Sequence, residues 1–275
     1  MSFFAKIVDP WLMEPFPEAQ VYTSLEGEAP GGSIKDHMVK GELEELLERG
    51  TIQAGGDIAE ISAGSTALSL AFYAQKYHLN SHLFLPDTAP KSLQNNLIKM
   101  GARIHLAPME SAYERYQEFI KKEKIHPFNQ MFDPQKAKYY KIIGQEFRES
   151  FKSQIDAVIG AVGTGHSLEG VAQGACAKRT VSAEPAAGVA VAGVRNLDEQ
   201  NLGSKDLCLE RFKERIMVEK KDFFPDKVIM TDKNRVEIGE SFQLVLGAVK
   251  FLLKNSPKAS VFAVGAKNKR LPGSV

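Results

Sequence analysis

Hydrophobic positions along the chain follow two rhythms. Short, nearly unbroken apolar runs stand at Ile58–Ser62, His82–Pro86, Arg103–Ala107, Ile155–Val162, Thr180–Glu184, Lys227–Thr231 and Ser260–Val264. Runs of this length, rich in β-branched residues, read as strands covered on both faces. Between them lie longer amphipathic stretches: Lys35–Glu48, Thr66–Tyr77, Lys91–Met100, Ser111–Lys122, Gln135–Phe151, Leu168–Ala177 and Glu240–Leu253. Strand–helix alternation predicts an α/β fold with parallel sheets and right-handed crossovers. The pattern restarts after Pro127–Pro134, which predicts a domain boundary there. Residues Asn196–Asp226 mix charged and apolar positions without a clean period and read as mostly helical.

Composition narrows the functional classes. A chain of 275 residues exceeds one typical domain of about 100–200. Apolar residues at 43% and charged residues at 25% give the balance of a globular protein. Lys plus Arg at 35 against Asp plus Glu at 34 leaves +1, so no global field attracts nucleic acid or an acidic membrane. No apolar run approaches the ~20 residues of a membrane span. Lys6, Asp9 and Pro10 interrupt the first residues, so no secretion signal is expected. The two cysteines, Cys176 and Cys208, lack metal-site or redox-pair spacing and read as ordinary thiols of a reducing compartment. Together these features predict a cytoplasmic protein with no metal centre.

Three segments carry candidate chemistry. In Pro30-Gly31-Gly32-Ser33-Ile34-Lys35-Asp36-His37 a glycine pair allows unusual backbone angles, Ser33 can cap the next helix, and Lys35 falls in its first turn. A cation at a helix N-terminus is disfavoured, which pushes an amine toward its neutral, nucleophilic form. Glu60-Ile61-Ser62-Ala63-Gly64-Ser65-Thr66-Ala67 runs from a strand through a small-residue turn into a helix, a geometry that aims backbone N–H groups at an anion. Gly160-Ala161-Val162-Gly163-Thr164-Gly165-His166-Ser167 repeats that form with more glycine, as a phosphate cup would. It lacks the Lys-Ser/Thr pair of a nucleotide-binding P-loop and the third glycine of a dinucleotide fingerprint. Taken singly, each segment also fits a capped surface helix or a tight strand–helix connection.

In this order the three segments resemble the fold type II pyridoxal-phosphate enzymes, in particular the cysteine synthase and cystathionine β-synthase family. The family's Asn-Pro-Gly/Thr-Gly-Ser-Val/Ile-Lys-Asp-Arg segment is similar to Pro30–Asp36, which makes Lys35 the catalytic lysine that joins pyridoxal 5'-phosphate. Its Thr-Ser-Gly-Asn-Thr loop is similar to Ser62–Thr66, and its Gly-Thr-Gly-Gly-Thr loop to Gly163–Ser167. Pro86, Gly101-Ala102, Asn129-Gln130 before Phe132, and Glu184-Pro185 match further points. The resemblance implies a two-domain architecture like that of the tryptophan synthase β chain. Residues 36–131 would form a smaller α/β domain with the carboxylate loop, and residues 1–35 with 132–275 a larger one with the phosphate loop. It implies that Gly163, Thr164, Gly165, His166 and Ser167 hold the phosphate and that Ser65 lies by the cofactor ring. Ser62, Ala63, Gly64, Thr66 and Gln130 would hold the carboxylate of a small amino-acid substrate, in a homodimer.

The chain departs from the family pattern at four places. Ser65 stands where the family has Asn, Ala63 where it has Ser, and His37 where it has Arg. The late glycine-rich segments are compressed: Gly193-Val194 can stand for one, and Gly239-Glu240-Ser241 for the other, which makes Ser241 the partner of the ring nitrogen or else a helix-capping serine. The chain closes on Lys267-Asn268-Lys269-Arg270, read as a solvated basic tail in place of the family's Asp-Gly-x-Arg-Tyr ending. The resemblance implies β-replacement on O-acetylserine or serine with sulfide or a thiol. The departures leave two alternatives open, β-elimination as a lyase or deaminase, and a degenerate relative that acts by binding a partner.

Overall fold

A computed structural model describes residues 3–131, 133–152, 154–198 and 212–271. They form two compact units, Met1–Glu28 with Pro134–Val275, and Ala29–Asp133. The first unit opens with β1 (Phe4–Lys6), α1 (Pro10–Met13) and β2 (Gln20–Ser24). Asp9 caps α1, its carboxylate accepting from Trp11 N–H, and Pro10 fills the first helical position, where no N–H is needed.

The second unit is a run of strand–helix repeats. It comprises α2 (Lys35–Glu48), β3 (Asp57–Ile61), α3 (Ser65–Lys76), β4 (Asn80–Pro86), α4 (Lys91–Lys99), β5 (Arg103–Ala107), α5 (Met109–Glu123) and β6 (His126–Pro127). Its four strands are all parallel, in the order β5-β4-β3-β6. Parallel strands need crossovers, and α3 and α4 supply them. Tyr116 of α5 packs on Ala59 and Phe84 with Ile61, Phe119, Ile120 and Ile125 around them.

The chain then returns to the first unit with α6 (Lys141–Phe151), β7 (Ala157–Ala161), α7 (His166–Ala175), β8 (Arg179–Pro185) and β9 (Glu214–Val218). It ends with β10 (Val228–Met230), β11 (Arg235–Glu237), α8 (Glu240–Asn255), β12 (Ser260–Val264) and β13 (Lys269–Arg270). The main sheet has six strands in the order β1-β2-β12-β7-β8-β9, parallel except for β1 against β2. Phe4, Tyr22, Phe147 and Phe262 form an aromatic block, with Phe147 stacked on Phe262 at 4.5 Å between ring centres. The apolar residues of α8, among them Leu244, Val245, Ala248 and Leu252, cluster with Ile159, Val181 and Val261. Strands β10, β11 and β13 make a small antiparallel sheet.

The α/β reading and its parallel sheets hold. Two local expectations do not. The stretch read as mostly helical, Asn196–Asp226, carries β9 and a 3-10 turn at Lys220–Asp222 in the part that is described. In β9, Glu214 and Ile216 are partly covered and Val218 is buried, and hydrogen bonding to β8 decides the state where local pattern is weak. Lys267, Lys269 and Arg270 are exposed, as a solvated basic segment would be, but the segment is no free tail. Asn268 is fully buried and donates to Thr23 Oγ1 at 3.0 Å, while Lys269 and Arg270 pair with Glu237 and Val236 of β11. Cys176 is exposed and accepts from Arg148; Cys208 and Phe132 lie outside the described residues.

Candidate active site

Within the second unit, one glycine turn and one strand end hold the polar groups. Lys35 is the first residue of α2, as its position after the Gly31-Gly32 pair suggests. Ser33 is buried and accepts from Lys35 N–H at 3.3 Å, although the capping position itself falls on Ile34. The turn is locked by Asp36, a buried carboxylate that accepts from Gly31 N–H at 2.6 Å and from Ser69 Oγ of α3 at 2.5 Å. A side chain at Gly31 would run into that carboxylate. Packing around the Lys35 amine pushes its pKa down to about 8, against the pull of the Glu60 carboxylate, which raises it. Burial is thus the dominant cause, where the sequence pointed to the helix terminus.

Glu60 was not singled out from the sequence as a site residue. It is 1% exposed in the middle of a parallel sheet. Its Oε1 accepts from Ile61 N–H at 2.8 Å and its Oε2 from Gln130 N–H at 3.0 Å. Gln130 is itself buried, and its Oε1 accepts from Thr66 Oγ1 at 2.5 Å. The structure therefore brings together Lys35, Glu60, Thr66 and Gln130. The turn between them is open: Ala63 and Gly64 are exposed, and Ser62 Oγ accepts from Gly64 N–H at 3.3 Å. Gly64 caps α3 without a side-chain bond, which leaves the N–H groups of the first turn, beginning at Ser65, facing outward for an anion. The signal for Glu60 was legible in principle, since a lone carboxylate inside an apolar strand needs partners.

In the first unit the turn between β7 and α7 has the expected form. Gly165 caps α7 with φ of 84°, a left-handed angle that favours glycine. A Cβ at Gly163 would lie 2.7 Å from Gly193 O, and one at Gly165 would lie 2.9 Å from the Phe212 ring. Thr164 and Ser167 are half-buried, and His166 is buried as the first residue of α7. The segment after β8 folds onto this turn, with Arg195 N–H donating to Val162 O at 2.8 Å. That segment is anchored by Glu184, a fully buried carboxylate. It accepts from Ser182 Oγ at 2.7 Å, from Leu197 N–H at 2.9 Å and from the Arg215 guanidinium at 2.8 Å through two nitrogens. Glu184 and Asp198 together hold the Arg215 guanidinium well above the usual range, through hydrogen bonds to its charged form. Ser241 is the second residue of α8 and partly exposed. Gly239 occupies the capping position, so Ser241 is not the helix cap.

A parallel α/β fold, a partly covered lysine of lowered pKa at the start of α2 and glycine turns before α3 and α7 are in keeping with enzymes that hold a phosphorylated cofactor on an amine. The chain belongs to the family of pyridoxal-phosphate dependent enzymes, whose model matches residues 12–204. It is 30% identical over 159 residues to a cysteine synthase of Staphylococcus aureus, covering 56% of this chain and 51% of that one. It is equally 30% identical over 160 residues to an O-acetylserine dependent cystathionine beta-synthase of Bacillus subtilis, with 55% and 52% covered. The chain thus spans about half the length of the curated relatives it matches. A hydrogen sulfide-producing enzyme from Fusobacterium nucleatum has the same fold, with a TM-score of 0.80, 20% identity, and 98% of this chain and 93% of that one covered.

The residues present fit the family's cofactor. Gly163 and Gly165 let the turn pack against Gly193 and Phe212 and lead into the N-terminus of a ten-residue helix, whose backbone N–H groups and dipole favour a phosphate. Lys35 supplies an amine whose lowered pKa makes it a nucleophile near neutral pH.

Proposed function

We propose that the chain is an enzyme acting on serine-type amino acids, replacing the β-substituent of O-acetylserine, serine or a near relative with sulfide or a thiol. The observation that carries this reading is one cluster in the second unit, where the lysine with a pKa near 8 shares its surroundings with the Thr66–Gln130 pair. The activities printed for the Staphylococcus aureus and Bacillus subtilis relatives supply the substrate class.

Bound pyridoxal 5'-phosphate supplies an electron sink for negative charge at the substrate's Cα. Lys35 Nζ takes and returns the proton at that carbon, a task suited to an amine with a pKa of about 8. The Thr66 hydroxyl, the Gln130 amide and the N–H groups at Ser62–Thr66 orient the substrate carboxylate. Gly163, Thr164, Gly165, His166 and Ser167 would hold the phosphate, Ser65 would serve the ring hydroxyl, and Ser241 would serve the ring nitrogen. In this reading the unit Ala29–Asp133, which includes Lys35 where a start at residue 36 was expected, carries the substrate side, and Met1–Glu28 with Pro134–Val275 carries the phosphate turn. The protein acts as a cytoplasmic homodimer on small amino acids, without nucleic acid or membrane. Among the described residues no helix is long and apolar enough to cross a membrane.

The test is product analysis on purified protein with pyridoxal phosphate and O-acetylserine. Cysteine formed only when sulfide is present supports replacement. Pyruvate released without sulfide assigns elimination instead. Neither product, with Lys35→Ala taking up the cofactor as the parent does, would replace the enzyme by a binding protein.

A further inference from the structure

The buried carboxylate of Glu60 stands behind both halves of the substrate side. It lies on β3, one residue before the end of the strand, and is 1% exposed. Its two oxygens are divided between two backbone donors far apart in sequence, Ile61 N–H and Gln130 N–H, at 2.8 and 3.0 Å. The first donor leads into the Ser62–Thr66 turn. The second belongs to Gln130, whose amide oxygen accepts from Thr66 Oγ1 at 2.5 Å. One side chain therefore closes a ring that runs from β3 through the turn to Thr66, across to Gln130 and back.

We propose that Glu60 is a positioning residue of this site, setting Gln130 and the Ser62–Thr66 turn in register and supplying the buried negative charge that faces Lys35. The inference rests on the roles read above for Lys35 and for that turn. A neutral amide of the same length cannot replace it. Glutamine has one acceptor oxygen and would turn an NH2 group toward the second N–H donor. Glu60 raises the Lys35 pKa, acting against burial, and it raises that of Tyr116, whose hydroxyl reaches Ala59 O at 3.3 Å from α5. Asp36, on Lys35's own helix, is committed to Gly31 and Ser69. Burial lowers the Lys35 pKa and the Glu60 carboxylate opposes it. An opposite charge at close range shifts such a group by about 1–3 units.

The experiment uses the full chain freed of cofactor. Each lysine is labelled competitively with an acylating reagent across a pH series, and the peptide containing Lys35 is read by mass spectrometry. Glu60→Gln is expected to lower the Lys35 labelling midpoint by about one unit or more, which raises its labelling rate at pH 7 about 5-fold. Glu60→Asp keeps the charge and shortens the reach. It is expected to leave the midpoint within half a unit. With cofactor restored, it raises about 3- to 10-fold the amino-acid concentration that half-changes the visible spectrum, as loss of one hydrogen bond predicts. An unmoved midpoint in Glu60→Gln overturns the proposal. So does a midpoint in Glu60→Asp that falls by a unit, or an unchanged spectral half-point, and these stand even where the glutamine variant fails to fold. Labelling needs no turnover, so absence of cysteine synthesis leaves this test intact and bears on the proposed function alone.

Discussion

Lys35 carries a cost to folding that pH should expose. Its pKa falls from the ordinary lysine value of 10.5 to about 8 in the folded chain, chiefly through burial. A difference of that size is worth about 1.4 kcal/mol per unit, or about 3 kcal/mol in all. Solvent reaches part of the side chain, so this is an upper figure. The sign follows from proton counting. Between about 8 and 10.5 the unfolded chain holds a proton that the folded chain has released, so stability rises with pH across that window. Below about 8 both states are protonated and the full cost remains. Lys35→Met removes the charge and keeps an unbranched side chain of similar length. In protein freed of cofactor, the stability of the variant relative to the parent should fall by about 2 kcal/mol between pH 7 and pH 9.5. Urea unfolding of both proteins at each pH gives the difference, in which the titrating groups that do not bear on Lys35 cancel. A difference that stays constant from pH 7 to 9.5 would refute the depressed value and, with it, the reading of Lys35 as a ready nucleophile.

Three further outcomes follow from named contacts. Gly165→Asp sets a carboxylate at the proposed phosphate turn, where like charges at ~4 Å cost ~1 kcal/mol even in water and more when buried. Equilibrium titration should show pyridoxal phosphate weakened at least ~5-fold and pyridoxal, which lacks the phosphate, much less; equal weakening would move the phosphate elsewhere. Thr66→Ala and Gln130→Ala each remove the 2.5 Å bond between them. They should raise the half-saturating amino-acid concentration about 3- to 10-fold while cofactor uptake is unchanged, and a loss of cofactor with unaltered substrate binding would reverse the site map. Arg215→Met strips the fully buried Glu184 of its guanidinium partner. Breaking a buried pair leaves an uncompensated charge, so urea unfolding should show a loss of about 3 kcal/mol, and a loss under about 1 kcal/mol would show that water replaces the arginine freely.

The sequence by itself determined the elements whose causes are local. A helix closes its hydrogen bonds within four residues, so α2, α3, α4 and α7 were legible from their spacing to within a residue or two. The glycine turns before α3 and α7 were legible for the same reason, because Gly64 and Gly165 fill capping positions that only their own neighbours define. Lys35, Thr66, Gln130 and the Gly163–Ser167 turn came from motif order, which survives where overall identity is low.

What the tertiary structure alone decided is non-local. Strand β9 has no strong period of its own and exists because β8 offers it hydrogen bonds. Lys269 and Arg270 form a strand because β11 lies beside them, against every expectation for a charged tail. Glu60 and Gln130 are 70 residues apart in the chain, and Glu184 and Arg215 are 31 apart. A buried carboxylate is tolerable only with partners, and nothing in the adjacent sequence names them. The sequence therefore marks the candidate site, an amine and two turns. The fold decides which buried charge stands behind the amine, and so how readily it gives up its proton.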